Sequence, residues 1–212
     1  MLRLMNAGRL RLIFLTAFLA GGSYYATQWI AIAPAAHVAW KGSGVALLAL
    51  WAATQARTVD GWLIAAALGL GALGDVLIET HGMTVGAVAF LAGHLVAVLV
   101  YLRNRCGPLW QAGLIAVAVA AAAWGLPTDR GAAPGIALYA TGLGAMFGTA
   151  AISRFPQASV GLGAALFALS DLLIFGQDGP LSGSALPGLL IWPTYFAGQA
   201  LIAWGVVRSL RA

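Results

Sequence analysis

What most constrains this chain is a series of eight apolar stretches, each roughly 17–22 residues long, about the length a helix needs to cross a bilayer. They fall near 12–33, 38–55, 61–79, 83–102, 109–125, 132–152, 158–175 and 187–207. The breaks between them carry proline, glycine or charge: Pro34, then ARTVDG, THG, RNRCGP, PTDRG, SRFPQ and GQDGPLSGSALP. Only 8% of the 212 residues are charged and 61% are hydrophobic, whereas a soluble domain carries about 25% charged residues. Such a chain cannot cover a water-facing surface, so its outside must face lipid. The expected fold is all-α and integral to the membrane, an eight-transmembrane-helix bundle. Loops this short leave no room for a soluble domain, so residues 1–212 read as a single membrane domain.

The basic residues give the expected orientation. An even number of spans returns both ends to one side. That side collects Arg3, Arg9 and Arg11, then Arg57, Arg103, Arg105 and Arg154, and finally Arg208 and Arg211. The other side holds Lys41 and Arg130. Lys and Arg accumulate on the cytoplasmic side, so both termini are expected to be cytoplasmic in a multi-pass protein of the cell inner membrane. The net charge of +5 is then a topology signal and calls for no nucleic-acid partner. The small residues of AIAPAAH would also suit removal of a leader, but the first run exceeds the usual apolar leader core of about 7–15 residues. A retained helix is the expectation. Cys106 is the only cysteine, so no intrachain disulfide forms, and it reads as a packing residue.

Against this apolar background a few polar residues stand out. LGALGDVLIETHG places Asp75 inside the third run, with Glu79 one turn later, and LFALSDLLIFG places Asp171 inside the seventh. Aligning GALGDVLI with FALSDLLI superposes the two aspartates. Aligning AFLAGHLVAVLVYLR with TYFAGQALIAWGVVR superposes His94 on Gln199. Runs three and four thus resemble runs seven and eight. Four spans separate the copies, which suggests a 4+4 parallel repeat about an axis along the membrane normal. At 1.5 Å rise per residue, each aspartate lies roughly 6 Å inside the end of its span, near the depth of lipid glycerol. Lys41 begins the second span on that same side. Tyr195 lies about 12 Å down its span, with His94 and Gln199 about 16–18 Å down theirs.

Carboxylates buried in lipid cost roughly 2.5–3.5 kcal/mol each on insertion scales, so they face the bundle interior and usually mark function. A structural pair satisfied by Lys41, Tyr195 or a backbone amide is the alternative. Glu79, sharing Asp75's face, is either a solvated end residue or part of the site. His94 is either interhelical glue or functional, and Tyr195 is either an interface anchor or part of the site. Pro193 removes an amide and crowds the carbonyl of Leu189, loosening the last span beside Tyr195. The glycines of GAMFG in the sixth run suit close helix packing. No His, Cys or Glu spacing suggests a metal site, and no cofactor is expected.

LGALGDVLIE, AFLAGHLVAVLVY, GAALFALSDLLI and TYFAGQALI, in that order, resemble the YhhN-type membrane proteins, which include the animal transmembrane lysoplasmalogenases. AWKGSG resembles the lysine-bearing start of an early span in that family, although Gly42 stands where a proline or cysteine is usual. The resemblance implies a hydrolase that splits the vinyl-ether bond of a lysoplasmalogen into a fatty aldehyde and a glycerophospho head group. That chemistry needs one carboxyl to protonate the alkenyl β-carbon and one carboxylate to stabilise the cation or activate water, a logic shared with glycosidases. Asp75 and Asp171 are therefore the candidate catalytic pair. Lys41, Glu79, His94, Ser170, Tyr195 and Gln199 are the candidate substrate-binding residues, with Lys41 receiving the phosphate of a membrane lysophospholipid.

Three rivals remain at this stage. An intramembrane aspartyl protease also pairs two aspartates, but Ala72 interrupts the GxGD pattern. A transporter of a small or amphiphilic solute would use the aspartates as a proton or substrate site, usually nearer the midplane. A purely structural protein would be indifferent to both. Oligomeric state is not legible.

Overall fold

The computed structural model describes residues 2–211, with side chains from Gly8 to Arg211. Arg3, counted above in the basic tail, lies outside the residues whose side chains are described. The protein is all-helical. Among the described residues there are eight α-helices: α1 (Leu2–Tyr24), α2 (Pro34–Ala53), α3 (Val59–His81), α4 (Met83–Arg103), α5 (Leu109–Gly125), α6 (Ala133–Ala151), α7 (Leu162–Gly176) and α8 (Leu186–Ser209). A 3₁₀ turn, Tyr25–Gln28, follows α1, and a wide turn, Gln157–Gly161, leads into α7. Among the described residues, Val59–His81, Met83–Arg103, Gln157–Gly176 and Leu186–Ser209 are both long and apolar enough to cross a bilayer. This is a multi-pass membrane protein.

The boundaries follow local chemistry. Proline opens α2, α6 and α8 within their first turns, where a missing amide costs nothing. Thr58 caps α3 by accepting the amide of Gly61 at 3.2 Å. Only Gly82 separates α3 from α4, and its φ of 89° is a conformation that glycine adopts without strain. The first apolar run differs from its sequence expectation. Its helix begins at Leu2 and ends at Tyr24, and residues 29–33 run non-helically up to Pro34. The residue before a proline is pushed out of the helical region, and Ala33 is extended at φ −59°, ψ 141°.

Consecutive helices pack as neighbours, α1 on α2, α2 on α3, α3 on α4, α5 on α6 and α7 on α8, while α4 also packs on α6. Polar contacts define two ends. At one end Arg103 Nε donates to Asp60 at 2.5 Å, Asn104 Nδ2 donates to Asp60 at 2.9 Å and Arg154 Nε donates to Asn104 at 2.7 Å. Arg211 also meets Gln55 there. At the other end lie Lys41, Glu79 and the turns after α1 and α7. The Lys41 end is stitched by Gln28 Nε2, which donates to the carbonyl of Gly188 at 3.1 Å, and by the Tyr25 hydroxyl, which donates to the carbonyl of Leu189 at 3.1 Å. Leu189 is the residue whose carbonyl Pro193 strips of its helical partner. The tyrosine supplies the replacement.

Small residues bring helix backbones close. A Cβ on Gly148 would sit 2.5 Å from the Ala112 oxygen, and one on Gly144 would sit 2.8 Å from the Ala116 Cα. These are the glycines of GAMFG, and they lock α6 onto α5. The α3–α4 and α7–α8 contacts are built alike. A Cβ on Gly93 would lie 3.1 Å from the Ala67 oxygen, and one on Gly198 would lie 2.7 Å from the Gly163 oxygen. Ala67 precedes Asp75 by eight residues, as Gly163 precedes Asp171. Each aspartate-bearing helix therefore meets its partner's glycine at the same register.

Candidate functional site

Asp75 and Asp171 line one cavity of about 810 Å³ that opens towards the Lys41 end. Both are buried, at 2% and 6% exposure. Each is held by a tyrosine from another helix. The Tyr195 hydroxyl of α8 donates to Asp75 Oδ2 at 2.8 Å, and the Tyr139 hydroxyl of α6 donates to Asp171 Oδ2 at 2.7 Å. Phe167, one turn before Asp171 on α7, packs beside both networks. Its ring meets Tyr195 edge-on at 5.2 Å and the imidazole of His94 at 5.0 Å. Each carboxyl is thus held by one hydroxyl donor from a neighbouring helix, which restricts its freedom.

His94 lies behind Tyr139, with Nε2 at 3.1 Å from its hydroxyl. The tyrosine has one proton. If it is given to Asp171, the oxygen accepts from a Nε2–H tautomer of His94. Asp171, Tyr139 and His94 therefore form a continuous hydrogen-bonded row. Ser170 is fully buried and donates to the carbonyl of Phe167 at 2.7 Å, with its oxygen 3.3 Å from Asp171 Oδ1. At the mouth, Lys41 Nζ donates to Glu79 Oε1 at 2.5 Å, with only 16% of the lysine side chain exposed. His37 Nδ1 stands 3.6 Å from the other Glu79 oxygen, and the Tyr24 hydroxyl meets His37 Nε2 at 3.0 Å.

The expected site residues therefore divide. Lys41, Asp75, Asp171 and Tyr195 line the cavity together. Glu79 touches it only through Lys41. Ser170, His94 and Gln199 lie outside its lining, and the last two border a separate void of about 20 Å³ lined by α3, α4 and α8 with Met146 of α6 and Phe167 of α7. Tyr101 also borders that void, with its buried hydroxyl unpartnered by any described residue. Sequence reasoning misses Tyr139, Tyr24 and Gln28, all of which line the cavity. The available signal for Tyr139 was the same as for Tyr195, a hydroxyl inside an otherwise apolar run.

The sequence profile of the YhhN family matches residues 36–206, which span α2 to most of α8. The chain belongs to the YhhN family. Two proteins named lysoplasmalogenase, from Mycobacterium bovis and Mycobacterium tuberculosis, are each 33% identical to this family member over 184 residues. The alignment covers 79% of this chain and 69% of each relative. No solved structure matches the chain significantly. Every residue of the cavity named above except Tyr24 and Gln28 falls inside the segment that the YhhN profile matches.

One prediction arises directly from the site. Tyr139→Phe removes the only hydroxyl shared by Asp171 and His94, leaving buried polar atoms without partners at a cost of roughly 1–3 kcal/mol. The expected result is a lower thermal unfolding midpoint in detergent. Tyr139→Phe with an unchanged unfolding midpoint would show that the row of hydrogen bonds contributes nothing to stability.

Proposed function

We propose that this protein is an intramembrane ether hydrolase acting on lysoplasmalogen-type lipids. The observation that carries the reading is the placement of two tyrosine-held carboxyls in one cavity with a lysine at its mouth. The relatives named lysoplasmalogenase supply the substrate class.

In this reading one aspartate enters each cycle protonated and delivers its proton to the β-carbon of the alkenyl chain. The α-carbon becomes an oxocarbenium ion, stabilised by the second, ionised aspartate. Water then adds at the α-carbon, losing its proton to that carboxylate. The hemiacetal collapses to a fatty aldehyde, and the glycerol oxygen leaves as a hydroxyl. One water is consumed, and the proton returns to the first aspartate. Tyr139 and Tyr195 position the carboxyls, with His94 and Ser170 supporting Asp171 and Gln199 packed behind α3. Lys41 exchanges Glu79 for the substrate phosphate.

The topology that suits this chemistry has eight spans, a 4+4 parallel repeat and both termini cytoplasmic in the cell inner membrane. The equivalent registers of Gly93 and Gly198 support the repeat, and the arginines gathered at the end opposite Lys41 support the orientation. The carboxyls then lie just below the outer head groups, where the ether oxygen of a lysolipid resides.

The test is lipid mass spectrometry after incubating the purified protein with a mixed lysolipid extract. The expected result is loss of alkenyl species alone, matched by fatty aldehyde. Alkenyl species that survive intact would defeat the proposal, as would equal loss of acyl and alkyl lysolipids.

A further inference from the structure

The cavity is not closed on all sides, and where it opens bears on what it can hold. Val88 on α4 and Leu138 on α6 both line it, yet they are 64% and 70% exposed. Exposure that high at lining positions puts Val88 and Leu138 on an open rim of the cavity, at a split between the two helices. The split has a defined base. Leu91 of α4 packs so tightly on Gly142 of α6 that a Cβ there would lie 2.3 Å from its Cδ1, and His94 meets Tyr139 at 3.1 Å in the same layer. Nearer the Lys41 end nothing comparable joins the pair. Met83 and Ala87 of α4 face the cavity, and Gly135 of α6 would carry a Cβ with nothing within 4 Å. The side between α1 and α8 is stitched by the bonds of Tyr25 and Gln28 to the first turns of α8. The side between α6 and α7 is covered by Phe175 against the ring of Tyr139, 5.9 Å between centroids.

The lining of the split is mostly hydrocarbon, from Met83, Ala87, Val88, Leu91, Gly135 and Leu138, with the hydroxyl of Thr84 as its polar exception. It lies in the outer parts of helices, one of which is apolar enough to span a bilayer, so what faces it is lipid rather than water. The cavity thus has Lys41, ion-paired with Glu79, at one end, the two carboxyls in its lining and a mostly apolar slit to the side. We infer that the gap between α4 and α6 is a lateral portal that holds the hydrocarbon tail of a single-chain lipid. The inference rests on the lipid-hydrolase reading for its chemistry and deepens it. The head group sits at Lys41, the reacting bond at the aspartates, and the tail runs out between Val88 and Leu138 into the bilayer. One slit admits one chain, so a lipid with two tails would have to bury the second against closed walls. The chain-bearing aldehyde leaves by the slit and the glycerophospho product by the polar mouth.

A photoactivatable probe tests this without relying on turnover. A 1-alkyl lysophosphatidylethanolamine with a mid-chain diazirine has a saturated ether that this chemistry does not cleave. It would be photolysed on the purified protein in nanodiscs and the adducts mapped by peptide mass spectrometry. The expected result is about tenfold more label on residues 83–91 and 131–139 than on the lipid-facing Leu114 and Val117 of α5, the ratio for a site preferred over bulk lipid by one decade. An excess of unlabelled lysolipid should abolish that difference. Equal labelling around the perimeter, or a maximum elsewhere, would overturn the portal. The two readings fail separately. Concentrated adducts with no alkenyl cleavage by the wild type would keep the portal and defeat the hydrolase, whereas cleavage with even labelling would do the reverse.

Discussion

Asp75→Asn and Asp171→Asn are each expected to cut turnover of an alkenyl lysophospholipid by about 10²- to 10⁴-fold, the range that a positioned acid or base supplies. Asparagine keeps the size of the side chain and an oxygen to accept the Tyr195 or Tyr139 hydroxyl, so the fold should survive. The measurement is turnover of purified protein at saturating lipid, beside a thermal unfolding curve for each variant. Because the two groups act as a unit, the double variant should be little worse than either single one. Near wild-type turnover in either variant, with the protein folded, would end the two-carboxyl mechanism. Solute uptake into proteoliposomes that depends on both aspartates, without lipid cleavage, would instead favour a transporter.

The second large effect concerns packing. Gly198→Val should lower the unfolding midpoint by roughly 2–12 °C, from an overpacking cost of about 1–3 kcal/mol. The added Cβ would sit 2.7 Å from the Gly163 oxygen and 3.0 Å from the Phe167 amide nitrogen, which are backbone atoms that cannot step aside. Helix α7 would have to shift, carrying with it Phe167 and, one turn on, Asp171. Activity should therefore fall further than stability explains. Gly93→Val makes the matching change in the other helix pair, but its nearest backbone neighbour is looser at 3.1 Å, so its shift should be the smaller. Equal shifts for the two variants would mean that this register carries no special constraint.

Much of the architecture is legible in the sequence because lipid imposes it. Long apolar runs leave helices as the way to satisfy their own amides, and Pro34, Pro134 and Pro187 mark where three of them begin. The aspartates are legible for the converse reason, since a carboxyl in such a run has few places to go. What stays hidden is pairing across the chain. Glu79 reads either as a solvated end residue or as part of the site until α2 brings Lys41 against it from 38 residues away. Tyr139 looks like any interface tyrosine until α6 packs beside α4 and aims its hydroxyl at Asp171. His94 and Gln199 align with one another in sequence, and their common depth is readable, but not that they border a small void instead of the cavity. Nor does a string of letters show that the carbonyl freed by Pro193 is claimed by Tyr25.

That last contact joins residues 164 positions apart. During synthesis the corner after the first helix must wait until the final helix emerges before its hydroxyl finds an acceptor. This part of the entrance rim accordingly closes only once α8 is made, and chains stalled before it would lack the contact even with both aspartates already in the membrane.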